Sequence, residues 1–156
     1  MDKIGICGAG LIGASWAIGF ANAGFKCFVY DANQNSFAKF RKTSNKLIKD
    51  LRIINSDIDE VRINSNIKLN CNIEEICNDS VLVQESVVED LEIKKKIFVQ
   101  LDKLTSENTI IASSSSYLLI SRISELVKHK HRCINAHPAL PCLLYTSDAA
   151  DERLSV

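Results

Sequence analysis

The chain has no surplus of charge, no paired-cysteine motif, no long apolar run and no internal repeat, and each absence removes a class of function. Nineteen basic and nineteen acidic residues cancel, which leaves no electrostatic footprint for nucleic acid or an anionic membrane. The six cysteines, Cys7, Cys27, Cys71, Cys77, Cys133 and Cys142, form no C-x-x-C pair. Several lie within apolar runs, as small buried thiols do, so a reduced, cytoplasmic compartment is expected rather than a disulfide framework. The apolar N-terminus carries Asp2 and Lys3 and breaks at Gly8-Ala9-Gly10, unlike a signal peptide. No segment approaches the roughly 18 uncharged apolar residues of a membrane span, so a soluble protein is expected. What is present is ordinary: 46% apolar and 24% charged residues over 156 positions, enough for one domain with a proper core.

Apolar runs of strand length alternate with segments of helical spacing. Lys3–Cys7, Phe25–Tyr30, Ile67–Asn70, Val81–Gln84, Thr109–Ala112 and Arg132–Ala136 read as six strands. Leu11–Ala23 reads as a helix closed by Gly24 at the C′ position. Ser36–Leu51 carries Phe37, Phe40, Leu47 and Leu51 on one side and lysines opposite, and Glu89–Leu104 repeats Leu91, Ile97, Phe98 and Leu101 at helical intervals. Ile73–Cys77 reads as a helical turn and Leu118–Val127 as a helix, while the polar stretch to Asn66 reads as a helix end and a loop. Strand and helix alternating from the first residue predict an α/β fold, a doubly wound parallel sheet of Rossmann type covered on both faces.

The sharpest motif follows the first strand. Gly8, Gly10 and Gly13 form G-x-G-x-x-G at the opening of the first helix. The first glycine permits the tight turn, the second lets backbone approach a pyrophosphate, and the third lets helix pack on strand. The helix N-terminus adds amide donors and a favourable dipole. Asp31 closes the second strand about 20 residues on, where a carboxylate accepts from ribose hydroxyls and repels a 2′-phosphate. No arginine follows before Arg41. NAD is therefore preferred over NADP, with FAD the weaker competitor, and Gly8, Gly10, Leu11, Ile12, Gly13 and Asp31 form the expected cofactor site. The competing reading is a glycine-rich turn beside a surface aspartate.

Ligands of open parallel sheets bind beyond the carboxyl ends of the strands. Three polar groups fall there: Gln84-Glu85 with Glu89, the serines 113–116, and His137. A histidine so placed suits alcohol oxidation, accepting the hydroxyl proton as hydride leaves the carbon. A serine hydroxyl could hold the substrate oxygen in line. The competing readings are a structural histidine and an ordinary loop. His129 and His131, at a helix end, are expected to be solvated.

These motifs together resemble the 3-hydroxyacyl-CoA dehydrogenase superfamily over residues 3 to 141. The resemblance is carried by Ile-Gly-Ile-Cys-Gly-Ala-Gly-Leu-Ile-Gly, Gln-Glu-Ser-Val-Val-Glu-Asp-Leu-Glu-Ile-Lys-Lys-Lys-Ile-Phe, Ala-Ser-Ser-Ser-Ser and His137-Pro138. Ser15-Trp16, Gln84-Glu85-Ser86, the Lys-Lys-Lys-Ile-Phe stretch and the serine run are similar to the L-gulonate 3-dehydrogenase and lambda-crystallin branch, with carnitine dehydrogenases nearby. The acyl-CoA enzymes typically carry Val-Glu-Ala at that second motif. By position, the resemblance makes His137 the catalytic base and Ser116 its substrate-orienting partner. It sets Glu89 and Lys94 where the family contacts the cofactor; the alternatives are a helix-start carboxylate favoured by the dipole and a solvated lysine.

The resemblance implies oxidation of the hydroxyl of a small 3-hydroxy acid, L-gulonate- or carnitine-like. The rivals are an L-3-hydroxyacyl-CoA dehydrogenase of fatty-acid oxidation and a crystallin-like NAD-binding protein without turnover. A helical C-terminal domain would complete the pocket and form a homodimer. Two departures stand out. Leu140 occupies the place of the asparagine in the family's His-Pro-x-Asn-Pro. The family's catalytic glutamate, about a dozen positions past the histidine, falls in a tail from Cys142 to Val156 that reads as translated sequencing-adapter DNA. The chain is thus expected to be a Rossmann domain over 1–141, truncated before the helical domain, with a non-native tail over 142–156.

Overall fold

A computed structural model of the chain describes residues 1–69 and 71–138. The chain begins in a parallel sheet because its first segment can be buried on both faces. β1 (Lys3–Cys7) is buried from Ile4 onward, and Gly5 lets α4 (Ile73–Cys77) cross it closely: a Cβ at Gly5 would lie 2.2 Å from the Ile76 carbonyl oxygen. β2 (Lys26–Tyr30), β3 (Ile67–Lys68), β4 (Ser80–Glu85), β5 (Ile110–Ser113) and β6 (Cys133–Asn135) complete it. The six strands lie in the order β3-β2-β1-β4-β5-β6 and every pairing is parallel. This is the doubly wound arrangement, with its switch point between β1 and β4.

The two faces carry separate cores. On one, Ala14, Ala17, Ile18 and Ala21 of α1 (Leu11–Asn22) pack with Phe37, Phe40, Ile48 and Leu51 of α2 (Ser36–Ile54) against Ile4, Ile6 and Val29. The alanine-rich face of α1 allows the close approach that its third glycine begins. On the other, Phe98 and Leu101 of α5 (Leu91–Leu104) pack with Ile73, Ile76 and Ile123 against Val83 and Ile111. Each buried aromatic or aliphatic side chain contributes about 1.5–3 kcal/mol.

Four expectations are corrected. The polar stretch after α2 contains α3 (Glu60–Asn66), capped by Asp59, whose carboxylate accepts from the Arg62 amide at 2.9 Å. It buries only Ile63 and Asn66, too little to show helical spacing. The helix expected over 118–127 shrinks to α6 (Ile120–Ile123). β3 ends at Lys68, and Asn70 lies outside the described residues. His129 is only partly solvated: its Nδ1 meets the Asp102 carboxylate at 3.1 Å and the ring is half-buried, whereas His131 is exposed.

Cys7, Cys27, Cys71, Cys77 and Cys133 are free and buried. Burial pushes the Cys27 thiol up to about 12, the mark of an unreactive core thiol. Among the described residues no helix is long and apolar enough to cross a membrane. The tail over 142–156 and Leu140 lie outside the described residues.

Candidate cofactor and active site

The glycine turn is built by two different constraints. Gly8 adopts φ +113°, donates its amide to the Tyr30 carbonyl at 2.8 Å, and leaves no room for a side chain: a Cβ would lie 2.6 Å from the Ser86 carbonyl oxygen. A Cβ at Gly13 would lie 1.9 Å from the Gly8 carbonyl oxygen. Gly10 is different. Nothing lies within 4 Å of where its Cβ would be, so the fold does not demand glycine there and the backbone is open to an approaching group. α1 starts at Leu11 with no side-chain cap and no acidic residue in its first turn. Its first amides, from Leu11, Ile12 and Gly13, therefore face a site suited to an anion. This cradle fits a pyrophosphate.

Asp31 stands at the end of β2, half-buried. One carboxylate oxygen accepts from the Ala9 amide at 2.8 Å and the other from the Asn33 amide at 2.8 Å. It ties the glycine turn to β2 and keeps lone pairs open to further donors.

The carboxyl ends of β4 and β5 form a buried charged cluster. Glu85, fully buried, receives the Lys94 ammonium and the Val87 amide on Oε1, at 2.7 and 2.8 Å, and the Ser113 hydroxyl on Oε2 at 2.7 Å. Lys94 also meets Glu89 Oε2 at 3.2 Å. The other Glu89 oxygen accepts from the Ser115 hydroxyl and from the Ser116 amide, the latter at 3.2 Å. Burial alone pushes the Glu89 carboxyl up, but these hydrogen bonds and the Lys94 charge outweigh it and hold the group below the usual carboxylate range. Glu89 thus clamps the serine loop. Lys94 is not the solvated lysine that was the alternative reading: at 1% exposure its ammonium lies between Glu85 and Glu89.

A second cluster gathers on Ser114. Its hydroxyl lies 3.1 Å from Trp16 Nε1, 2.8 Å from Gln84 Nε2 and 2.9 Å from the Ser86 hydroxyl. Its backbone carbonyl lies 3.1 Å from His137 Nδ1. The His137 ring is exposed at the end of β6. A carbonyl only accepts, so the neutral imidazole carries its hydrogen on Nδ1 and presents the Nε2 lone pair outward. Ser116 is exposed on the loop that Glu89 clamps.

The chain matches the family described as 3-hydroxyacyl-CoA dehydrogenase, NAD binding domain, over residues 3–146. It belongs to that family. NAD is therefore its cofactor. The lambda-crystallin homolog of Mus musculus is 40% identical over 139 residues, covering 87% of this chain and 44% of the relative. A probable 3-hydroxyacyl-CoA dehydrogenase of Caenorhabditis elegans is 28% identical over 150 residues, covering 88% and 47%. The solved structure of (S)-3-hydroxybutyryl-CoA dehydrogenase from Ralstonia eutropha superposes with a TM-score of 0.82 at 25% identity, covering 91% of this chain and 50% of that one. The chain spans about half the length of these relatives, and within the family its similarity is to the lambda-crystallin branch.

The sequence offers the glycines, Asp31, Glu89, Ser116 and His137 as candidates but assigns no role to Ser114, and Trp16 and Ser86 enter only as marks of likeness. One signal was available. Gln84 and Glu85 end an otherwise apolar strand, and a polar residue that must be buried needs a partner nearby.

Proposed function

We propose that the chain is the cofactor-binding half of an NAD-dependent dehydrogenase that oxidises the hydroxyl of a small 3-hydroxy acid, L-gulonate- or carnitine-like, to the 3-oxo acid. The observation that carries this reading is the His137 ring, exposed at the end of β6 with Nδ1 engaged by the Ser114 carbonyl. Bound NAD supplies the hydride acceptor. His137 Nε2 takes the hydroxyl proton, so the alcohol loses a proton to the protein and a hydride to the cofactor as the carbonyl forms. Ser116 donates to the substrate oxygen and orients it. Glu89 keeps the loop bearing Ser116 in place through the Ser116 amide. The resemblance of Gln84-Glu85-Ser86 and the serine run to the L-gulonate 3-dehydrogenase branch favours a free acid over a thioester.

The test is NADH formation at 340 nm by the full-length protein, offered L-gulonate, carnitine and a 3-hydroxyacyl-CoA in turn. Turnover of a free acid, lost on His137→Gln with NAD binding retained, is the expected result. Turnover of the thioester alone would overturn the substrate assignment, and full activity in His137→Gln would overturn the role of the histidine. Residues 1–141 alone are expected to bind NAD with negligible turnover. The reading also implies a homodimer formed through a further helical domain.

A further inference from the structure

The cluster on Ser114 has a forced direction. Trp16 Nε1 can only donate, and it donates to the Ser114 hydroxyl oxygen at 3.1 Å. Gln84 Nε2 lies 3.4 Å from the Ala136 carbonyl as well as 2.8 Å from Ser114. Because that carbonyl only accepts, the amide nitrogen is the Gln84 atom that faces both, and it too donates to Ser114. A hydroxyl oxygen has two lone pairs, and here both are taken. The remaining contact, with Ser86 at 2.9 Å, must therefore be one in which Ser114 donates and Ser86 accepts. Ser86 consequently keeps its own hydrogen, for which no acceptor stands among the described residues.

The place of that hydrogen matters. Ser86 directly follows β4, its amide donates to the Cys7 carbonyl at 2.7 Å, and its own carbonyl lies against Gly8. It stands at the switch point, on the β4 side of the glycine turn. Asp31 and β2 lie on the opposite side and take the adenosine ribose. A dinucleotide whose pyrophosphate rests on the α1 N-terminus must carry its other half toward β4.

We infer that the Ser86 hydroxyl donates a hydrogen bond to the nicotinamide–ribose half of bound NAD, aimed by the Trp16–Gln84–Ser114 cluster. The inference rests on the NAD site described above and adds a donor that the glycine motif does not contain. Ser114 and its partners act here as positioning residues.

The experiment is calorimetric titration of the chain and of Ser86→Ala with NAD and with ADP, which lacks the nicotinamide half. NAD affinity is expected to fall about fivefold in the variant, the worth of one net hydrogen bond, with ADP affinity unchanged. Unchanged NAD affinity would overturn the inference, as would an equal loss for both ligands, since that would mark a general disturbance of the turn. Failure of the unaltered chain to bind either ligand would overturn the cofactor site itself, and the inference with it.

Discussion

Lys94→Met tests the buried charged cluster, because it removes the ammonium while keeping the length of the side chain. In the native chain Lys94 and Glu85 are 1% and 0% exposed and 2.7 Å apart. Removing one partner of such a pair leaves an uncompensated buried charge, at a cost of about 3–5 kcal/mol. Glu85 would keep its bonds from the Val87 amide and the Ser113 hydroxyl. Each is a hydrogen bond to a charged group and softens the loss, so the lower end, about 3 kcal/mol, is expected. Against a typical total of about 5–15 kcal/mol this is a large fraction. Urea unfolding followed by fluorescence of Trp16, the single tryptophan, measures it directly. The double variant Glu85→Gln/Lys94→Met should recover all but about 1 kcal/mol, because replacing both partners is often nearly neutral. A loss under 1 kcal/mol in the single variant, or no recovery in the double, would refute the reasoning.

The remaining predictions concern the turn, the aspartates and acid stability. Gly10→Ala should melt within a degree or two of the native chain yet bind NAD at least tenfold more weakly, since its Cβ meets no protein atom; Gly13→Ala, overpacked against the Gly8 carbonyl, should lose about 1–3 kcal/mol of stability. Asp31→Ala should weaken NAD binding by tenfold or more in titration and cost about 1–2 kcal/mol through the freed Ala9 and Asn33 amides. Burial pushes the Asp102 carboxyl up, but the Arg132 and His129 hydrogen bonds outweigh it and hold the group below its usual range. Its stabilising contribution is therefore complete above the unfolded value of about 3.9 and is lost as pH falls toward the lower folded value. Arg132→Met, which also orphans the Thr109 carbonyl, should destabilise the chain at neutral pH and flatten that acid dependence in urea titrations from pH 5 to pH 2.

Much of this protein was legible because the informative residues act locally. A strand that ends in G-x-G-x-x-G and precedes a helix has few other folds open to it, and Asp31 reaches the turn simply by ending the neighbouring strand. The alternation of apolar runs settled the doubly wound class in the same way. Less was legible where one element gains its structure from another. α3 has too little apolar surface to announce itself and forms because Ile63 and Asn66 can be buried against α1, the latter through a hydrogen bond to the Ala21 carbonyl. The 118–127 segment has helical spacing, yet only four residues of it are helical.

By itself, then, the sequence determined the fold class, the glycine turn, NAD as the cofactor and the strand-end positions of His137 and the serines. Only the tertiary structure decided that Lys94 lies inside, that Glu89 clamps the serine loop, and that Ser114 receives Trp16 and Gln84 and so leaves the Ser86 hydrogen without an acceptor among the described residues. The physical reason is the range of the interactions. Periodicity and turn chemistry are written within a few neighbouring residues, whereas the direction of a hydrogen bond depends on which groups a fold brings together at one oxygen, here from three separate segments of the chain.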